Sequence, residues 1–268
     1  GVDVTINTKN INRAFQWKTS LLLSGLKDKI TSYKQEPTSS SIQNRVLAEG
    51  KPLYSIFSYK WAGLDPENGD PQGYLNGMVS KDYQAIINNF HPDSLIFHGS
   101  SLPQIYGAIR NDFSFKGLSL SVNLLLKAGY YFRRSSTAIN YTDIIDGYAN
   151  LDYTQRWQNP GDEKITNVPS IVYPSDSRRS TFYNYSESLV EKGDHIRLQD
   201  IKLSYNLKTA LKEKLPMKSC NVYVYLNNVG IIWKANDLGI DPDQATSTAL
   251  LHRLPNPLSF SFGVSAGF

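Results

Sequence analysis

The chain has 268 residues, 40% of them hydrophobic and 12% aromatic, with 17 Tyr and 11 Phe, enough to bury a core of ordinary size. Formal net charge is +4, but the 28 basic and 24 acidic residues are interspersed, which excludes a basic stripe for nucleic acid. The single cysteine, Cys220, excludes an internal disulfide, a Cys metal site and a CxxC redox pair, and reads as a small side chain in a strand.

No stretch approaches the ~20 apolar residues of a transmembrane helix, so any crossing is made by strands. The N-terminus lacks a basic region, an apolar core and a cleavage site. Residues 2–7 already alternate as a strand, the start expected of a chain cut from something longer. A short turn at residues 10–14 leads into a second alternating segment, 15–24. The connection at 27–103 is long and rich in Pro, Gly, Asn, Asp and Tyr. Within it, 52–61 (PLYSIFSYKW) has strand composition and is read as β-structure in an extracellular loop, because a full crossing there would break the up-down parity. Segments 105–115 and 118–130 alternate on either side of a Lys116-Gly117 turn. In the second of them Leu118, Leu120, Val122, Leu124, Leu126, Ala128 and Tyr130 share one face.

After a second long connection, 133–195, the segment 196–207 changes the phase of its apolar residues near Gln199-Asp200, which predicts a bulge. A moderate connection, 208–218, with a helical turn at 209–215, leads to 221–227. There Val222, Val224 and Leu226 oppose Tyr223 and Tyr225, and the lipid-facing side stays open. A third long connection, 231–255, precedes the clearest strand of all, where Leu258, Phe260, Phe262, Val264, Ala266 and Phe268 oppose Ser259, Ser261, Gly263, Ser265 and Gly267.

Short and long connections thus alternate, as in transmembrane barrels with short periplasmic turns and long outer loops. The fold class expected is all-β: an antiparallel transmembrane β-barrel of which about seven strands are present. Since single-chain bacterial barrels close on an even number of at least 8, this is a C-terminal arc needing further strands to close. The alternative is a soluble β-sandwich, specifically a carbohydrate-binding module with Trp157 and Trp233 as stacking platforms. Strands of ~12 residues and loops of several dozen weigh against it. So do aromatic clusters where strands end, at residues 130–132 and 231–233. A passive porin or adhesin barrel is a third reading.

No enzyme is expected: GxSxG, Walker and GxGxxG patterns are absent, and no catalytic residue is assigned. No metal or other cofactor is expected either. His91, His98, His195 and His252 lack ligand spacing, and Asp65-Pro66-Glu67-Asn68-Gly69-Asp70 fails as an EF-hand because Gly69 and Asn76 stand at loop positions 5 and 12. An Asn68-Gly69 turn explains that segment better. The sequons at residues 140–142 and 184–186 are incidental in a bacterial protein. Residues 152–162 (DYTQRWQNPGD) concentrate groups that suit a sugar face or a peptide, with Tyr153, Arg156 and Trp157 as ligand-binding candidates beside Trp233. Against that, Trp157 serves equally as the apolar anchor of its loop, and Trp233 as an interfacial residue.

Several strings together resemble the C-terminal region of the SusC/RagA family of TonB-dependent transporters from Bacteroidetes. They are GVDVTINTKNI (1–11), EGKPLYSIFSYKWAGLDPENGDP (49–71), GSSLPQIYGAIRNDFSFKGLSLSVNLL (99–125), RWQNPGDEKITNVP (156–169), GDHIRLQDIKLSYNL (193–207), NVYVYLNNVGIIWK (221–234) and SFGVSAGF (261–268). The resemblance implies a ~22-stranded barrel in the bacterial outer membrane, of which residues 1–268 form roughly the last third, in contact with outer-membrane lipid. It implies import of oligosaccharides or peptides, a SusD-like surface lipoprotein as partner, and energy from TonB–ExbB–ExbD acting through an upstream region. By the same resemblance, the plug domain and TonB box lie upstream, and Phe268 is the signal read by the barrel-assembly machinery.

Overall fold

The computed structural model describes residues 1–35, 37–89, 91–136, 145–147, 151–207, 219–244 and 256–267. The expected helical turn at 209–215, His252, the sequon at 140–142 and Phe268 lie outside these residues. The chain divides into two compact units: Gly1–Lys27, Pro103–Tyr130 and Lys192–Phe268 form one, and Asp28–Leu102 with Tyr131–Glu191 the other.

The first unit is a seven-stranded sheet: Val2–Asn12, Phe15–Gly25, Ile105–Phe115, Leu118–Ala128, His195–Asn206, Ser219–Lys234 and Ser259–Gly267. Every neighbouring pair is antiparallel, and strand order follows chain order across the sheet. Val2–Asn12 and Ser259–Gly267 are its two edges. The Lys116-Gly117 turn has φ of 47° and 85°, the left-handed pair that matches the twist of a tight hairpin. A register shift between Leu198 and Asp200 appears against both neighbours, so the bulge read from the phase change is present.

Three strands differ from the sequence reading, the first by running on to Asn12, past residue 7 and into the expected turn at 10–14. The fourth ends at Ala128 because Gly129 turns to φ 75°, its N–H donating to Asp194 Oδ1 at 2.7 Å. The sixth runs on to Lys234, well beyond residue 227. Asn228 (φ 55°) and Gly230 (φ 148°) interrupt its alternation, which hides the continuation from a period-2 search.

Register divides the sheet into two chemically distinct faces. Val222, Val224 and Leu226 stand opposite Val264, Phe262 and Phe260 on one side and Tyr205, Leu203 and Ile201 on the other. Those continue through Leu118, Leu120 and Val122, and on to Ile109, Leu21 and Ile6 nearby. The orientation left open by the sequence is thereby settled: the Val and Leu side belongs to the apolar face. Tyr223 lies on the other, its hydroxyl so close that a Cβ on Gly263 would come within 2.6 Å of it. Large apolar side chains stay uncovered, Val2 at 67% and Phe262 at 77% exposure. The buried hydrophobic clusters among the described residues all belong to the second unit. A sandwich would bury this face under a second sheet, so the sandwich alternative does not describe the sheet.

The apolar face carries one polar group of residues. Thr8, Thr19 and Asn111 lie in register across the first three strands, and Asn10, the bulged residue between Lys9 and Ile11, donates from its side-chain amide to Thr19 Oγ1 at 2.8 Å. Next to them Phe113 stacks on Trp17 and Phe15, with centroids 5.8 and 6.3 Å away, near the short turns.

The second unit is built from the two long connections, which form a folded body. Its β-structure comprises Ser55–Ser58 paired with Ile96–Ser100, the three-stranded Gly63–Leu64, Pro71–Leu75 and Met78–Ser80, and Tyr131–Arg133 paired with Val190–Lys192. Residues 52–61 thus contain a short strand of this unit, as expected. Its core centres on Phe182, fully buried in the helix Ser177–Asn184, with the rings of Tyr59, Tyr83 and Trp61 at 5.7, 5.6 and 6.4 Å. Tyr130 and Phe132 are both buried, so residues 130–132 do not form the exposed aromatic cluster expected from the sequence.

Candidate functional site

The polar face of the sheet is organised in rows that follow the register from edge to edge. One row reads Lys9, Lys18, Asp112, Ser121, Lys202, Tyr225, Ser261, and the next Asn7, Ser20, Arg110, Asn123, Asp200, Asn227, Ser259. Strict alternation is what gathers them, since every second residue of each strand points to the same side. In the second row the Asn123 amide donates to Asp200 Oδ2 at 2.9 Å.

Toward the end of the sheet away from the short turns, the face meets an ionic clasp. Arg197 Nη2 donates to both oxygens of Asp241 at 2.7 Å, and Lys127 Nζ donates to Asp243 Oδ1 at 2.6 Å. His195, almost fully buried, sets Nε2 3.4 Å from Asp243 Oδ2 and Nδ1 2.8 Å from the Gly193 carbonyl oxygen. Burial pushes the Asp243 carboxyl up, but the hydrogen bonds from His195 and Lys127, with their charges, outweigh it and hold the group below the usual carboxylate range. Asp241-Pro242-Asp243 is itself a turn, in which Asp241 Oδ1 accepts the Asp243 N–H at 3.0 Å. The clasp therefore fixes the start of the connection after the sixth strand against the polar face. The sequence reading missed it: its partners are 44 and 116 residues apart, and the one local signal was the Asp-Pro-Asp string.

The sequence candidates fall in different places. Tyr153 and Arg156 come together in the second unit: the Arg156 guanidinium lies 4.2 Å from the centre of the Tyr153 ring, and Nη1 donates to the Tyr153 carbonyl at 2.7 Å. Trp157 is only 7% exposed and packs over Gly69, where a Cβ would come within 2.4 Å of the indole. It is positioned as the anchor of its loop. Trp233 belongs to the first unit, on the apolar face opposite Ile196, and is 50% exposed as an interfacial residue would be.

The segment 65–70 is a turn held by cations of the protein itself. Asp65 accepts the Glu67 N–H, Lys81 pairs with Asp65, and Arg179 Nε donates to Asp70 Oδ1 at 2.8 Å. The Lys81 hydrogen bond, with those of nearby backbone N–H groups, lowers Asp65 below its ordinary range. The second unit also holds a cavity of about 520 Å³, lined in part by Tyr59, Lys60, Tyr74, Asn76 and Asn89.

No sequence profile of a known family matches the chain. A TonB-dependent receptor of Formosa agariphila is 23% identical over 272 aligned positions, which take in 91% of this chain and 25% of that receptor. Among solved structures, the RagAB peptide transporter superposes with a TM-score of 0.70 at 18% identity, over 99% of this chain and 28% of the other. The RagAB peptide importer in its "open-open" and "closed-closed" states gives 0.63 and 0.64, at 20% and 19% identity. The chain spans about a quarter of the length of these relatives. Its sequence is similar to that of a TonB-dependent receptor, and its sheet, left unclosed here, superposes on part of the RagAB transporter.

Proposed function

We propose that the chain is the C-terminal barrel arc of a TonB-dependent outer-membrane importer that carries peptides, working with a SusD-like lipoprotein on the cell surface. The observation that carries this reading is the division of the seven strands into an uncovered apolar face and a polar face, on a sheet superposable on the RagAB transporter. In a bilayer that division places Val2, Phe260 and Phe262 against lipid and the rows of Lys9 and Arg110 against water in the lumen. Peptide is preferred to oligosaccharide as cargo because RagAB is a peptide transporter. In this reading Tyr153 and Arg156 are available to cargo or to the lipoprotein, while Phe268 serves barrel assembly.

The test uses the full-length product in its native host. It should partition with the outer membrane after Sarkosyl extraction and take up fluorescent oligopeptides only in cells with intact TonB. Recovery as a soluble periplasmic protein, or TonB-independent uptake, would overturn the reading.

A further inference from the structure

Positive charge on the polar face is unevenly matched. Lys127 and Arg197 are paired with Asp243 and Asp241 in the clasp. Lys9, Lys18, Arg110 and Lys202 are all exposed, and none has a carboxylate within 4.0 Å among the described residues. Lys9 stands directly opposite Lys18, an arrangement that disfavours the sheet unless something negative offsets it. The same row holds Lys202 and a single carboxylate, Asp112, opposite Lys18. Lys202 is held by the Tyr223 ring, its Nζ 5.0 Å from the centroid. The row thus presents three lysines to the water side against one acid.

We propose that this row is a contact for the carboxylates of an acidic peptide. The proposal rests on the peptide-import reading above and specifies the class of cargo. Lys18 and Lys202 are three strands apart, about 14 Å at the ordinary strand spacing, and an extended peptide sets the side chains of residues i and i+4 roughly 13 Å apart. A peptide lying along the row with acidic residues at that interval meets Lys18 and Lys202 together, and the Lys9–Lys18 repulsion is relieved as it binds. Asn123, Ser121 and Tyr225 beside the lysines offer hydrogen bonds without opposing charge.

The experiment measures binding of two fluorescent octapeptides to the full-length receptor in detergent. They are identical except for Glu or Gln at two positions four apart. The Glu peptide should bind about tenfold more tightly, as two exposed charge contacts allow. The preference should vanish in roughly 0.5 M salt and in the Lys18→Gln/Lys202→Gln variant, and persist in Lys18→Arg/Lys202→Arg. Equal binding of both peptides, or a preference that survives the Gln variant, overturns the proposal and leaves the import reading intact. If a receptor that keeps its heat-modifiable gel mobility binds neither peptide, the peptide-import reading falls as well.

Discussion

The indole N–H of Trp17 donates to the side-chain oxygen of Asn111 at 3.0 Å, on the face of the sheet that is otherwise apolar. The same oxygen accepts from Thr19 Oγ1 at 2.8 Å, and Thr19 Oγ1 accepts from the Asn10 amide. Further along that row the residues are Val122, Ile201, Leu226 and Phe260, so the polar group bonds within itself and is confined to three strands.

Replacing Asn111 by Leu makes the face more hydrophobic yet removes the acceptor of two donors, each then unsatisfied against lipid. The full-length barrel should lose roughly 2–4 kcal/mol, read by guanidinium unfolding in detergent. Asn111→Leu combined with Thr19→Val should recover part of the loss. A single variant more stable than the parent would show that the bonds contribute nothing.

Arg197→Met leaves Asp241 without its two charge-assisted bonds in a half-buried setting. Backbone exchange at residues 236–244 should rise at least tenfold, while strand 118–128 stays protected, as hydrogen-exchange mass spectrometry would record. Acid should act in the same direction. The Asp243 carboxyl is held low, so its contribution is present above its unfolded value of about 3.9 and disappears as pH falls through the lower folded one. Exchange at 236–244 that is unaffected by the substitution would rule out the clasp.

His98 gives the second unit its own pH response. Burial of the ring, and then the Arg133 charge, push it down to about 4, with Ser58 Oγ 2.7 Å from Nε2. An unfolded histidine takes its proton near 6.5, so between about 6.5 and 4 the unfolded chain binds more protons. Stability of the unit should fall as pH drops through that window. Roughly 1–2 kcal/mol is expected for a half-buried ring partly screened by solvent. His98→Gln should flatten the profile; an unchanged slope would assign it to another group.

Gly69 and Trp157 should behave as one unit in a double-mutant cycle. Gly69→Ala puts a Cβ into the indole and keeps φ at 70°, at a cost of about 1–3 kcal/mol, with the tryptophan emission shifting to the red. In a Trp157→Ala background the same change should cost only the backbone part. Equal costs in both backgrounds would show that the contact is slack.

How far the fold can be read in advance depends on where its constraints lie. Strands 105–115 and 118–128 follow an uninterrupted alternation around a Lys-Gly turn, so local pattern suffices. The sixth strand is half visible, because the backbone at Asn228 and Gly230 breaks the period while pairing continues. The second unit is nearly invisible: Phe182 gathers Tyr59, Trp61 and Tyr83 from about a hundred residues upstream, and its strands are too short to show a period. For the candidate site, the alternation separated polar from apolar residues but not which polar ones share a row. That needs the bulge registers at residues 9–11 and 198–200. Arg156 and Tyr153, three residues apart, were close enough to be picked out as one group of candidates. Arg197 and Asp241 were not.

The outermost strands, Val2–Asn12 and Ser259–Gly267, each have a neighbour on one side only. Residues 1–268 produced as a recombinant polypeptide therefore present two complementary rims of amide and carbonyl groups on a sticky sheet. Such a particle can grow by docking one copy's last strand on another's first, each copy adding seven strands at ~4.8 Å spacing, into a thioflavin-positive ribbon. What makes a wall within a closed ring becomes a polymerising monomer outside it.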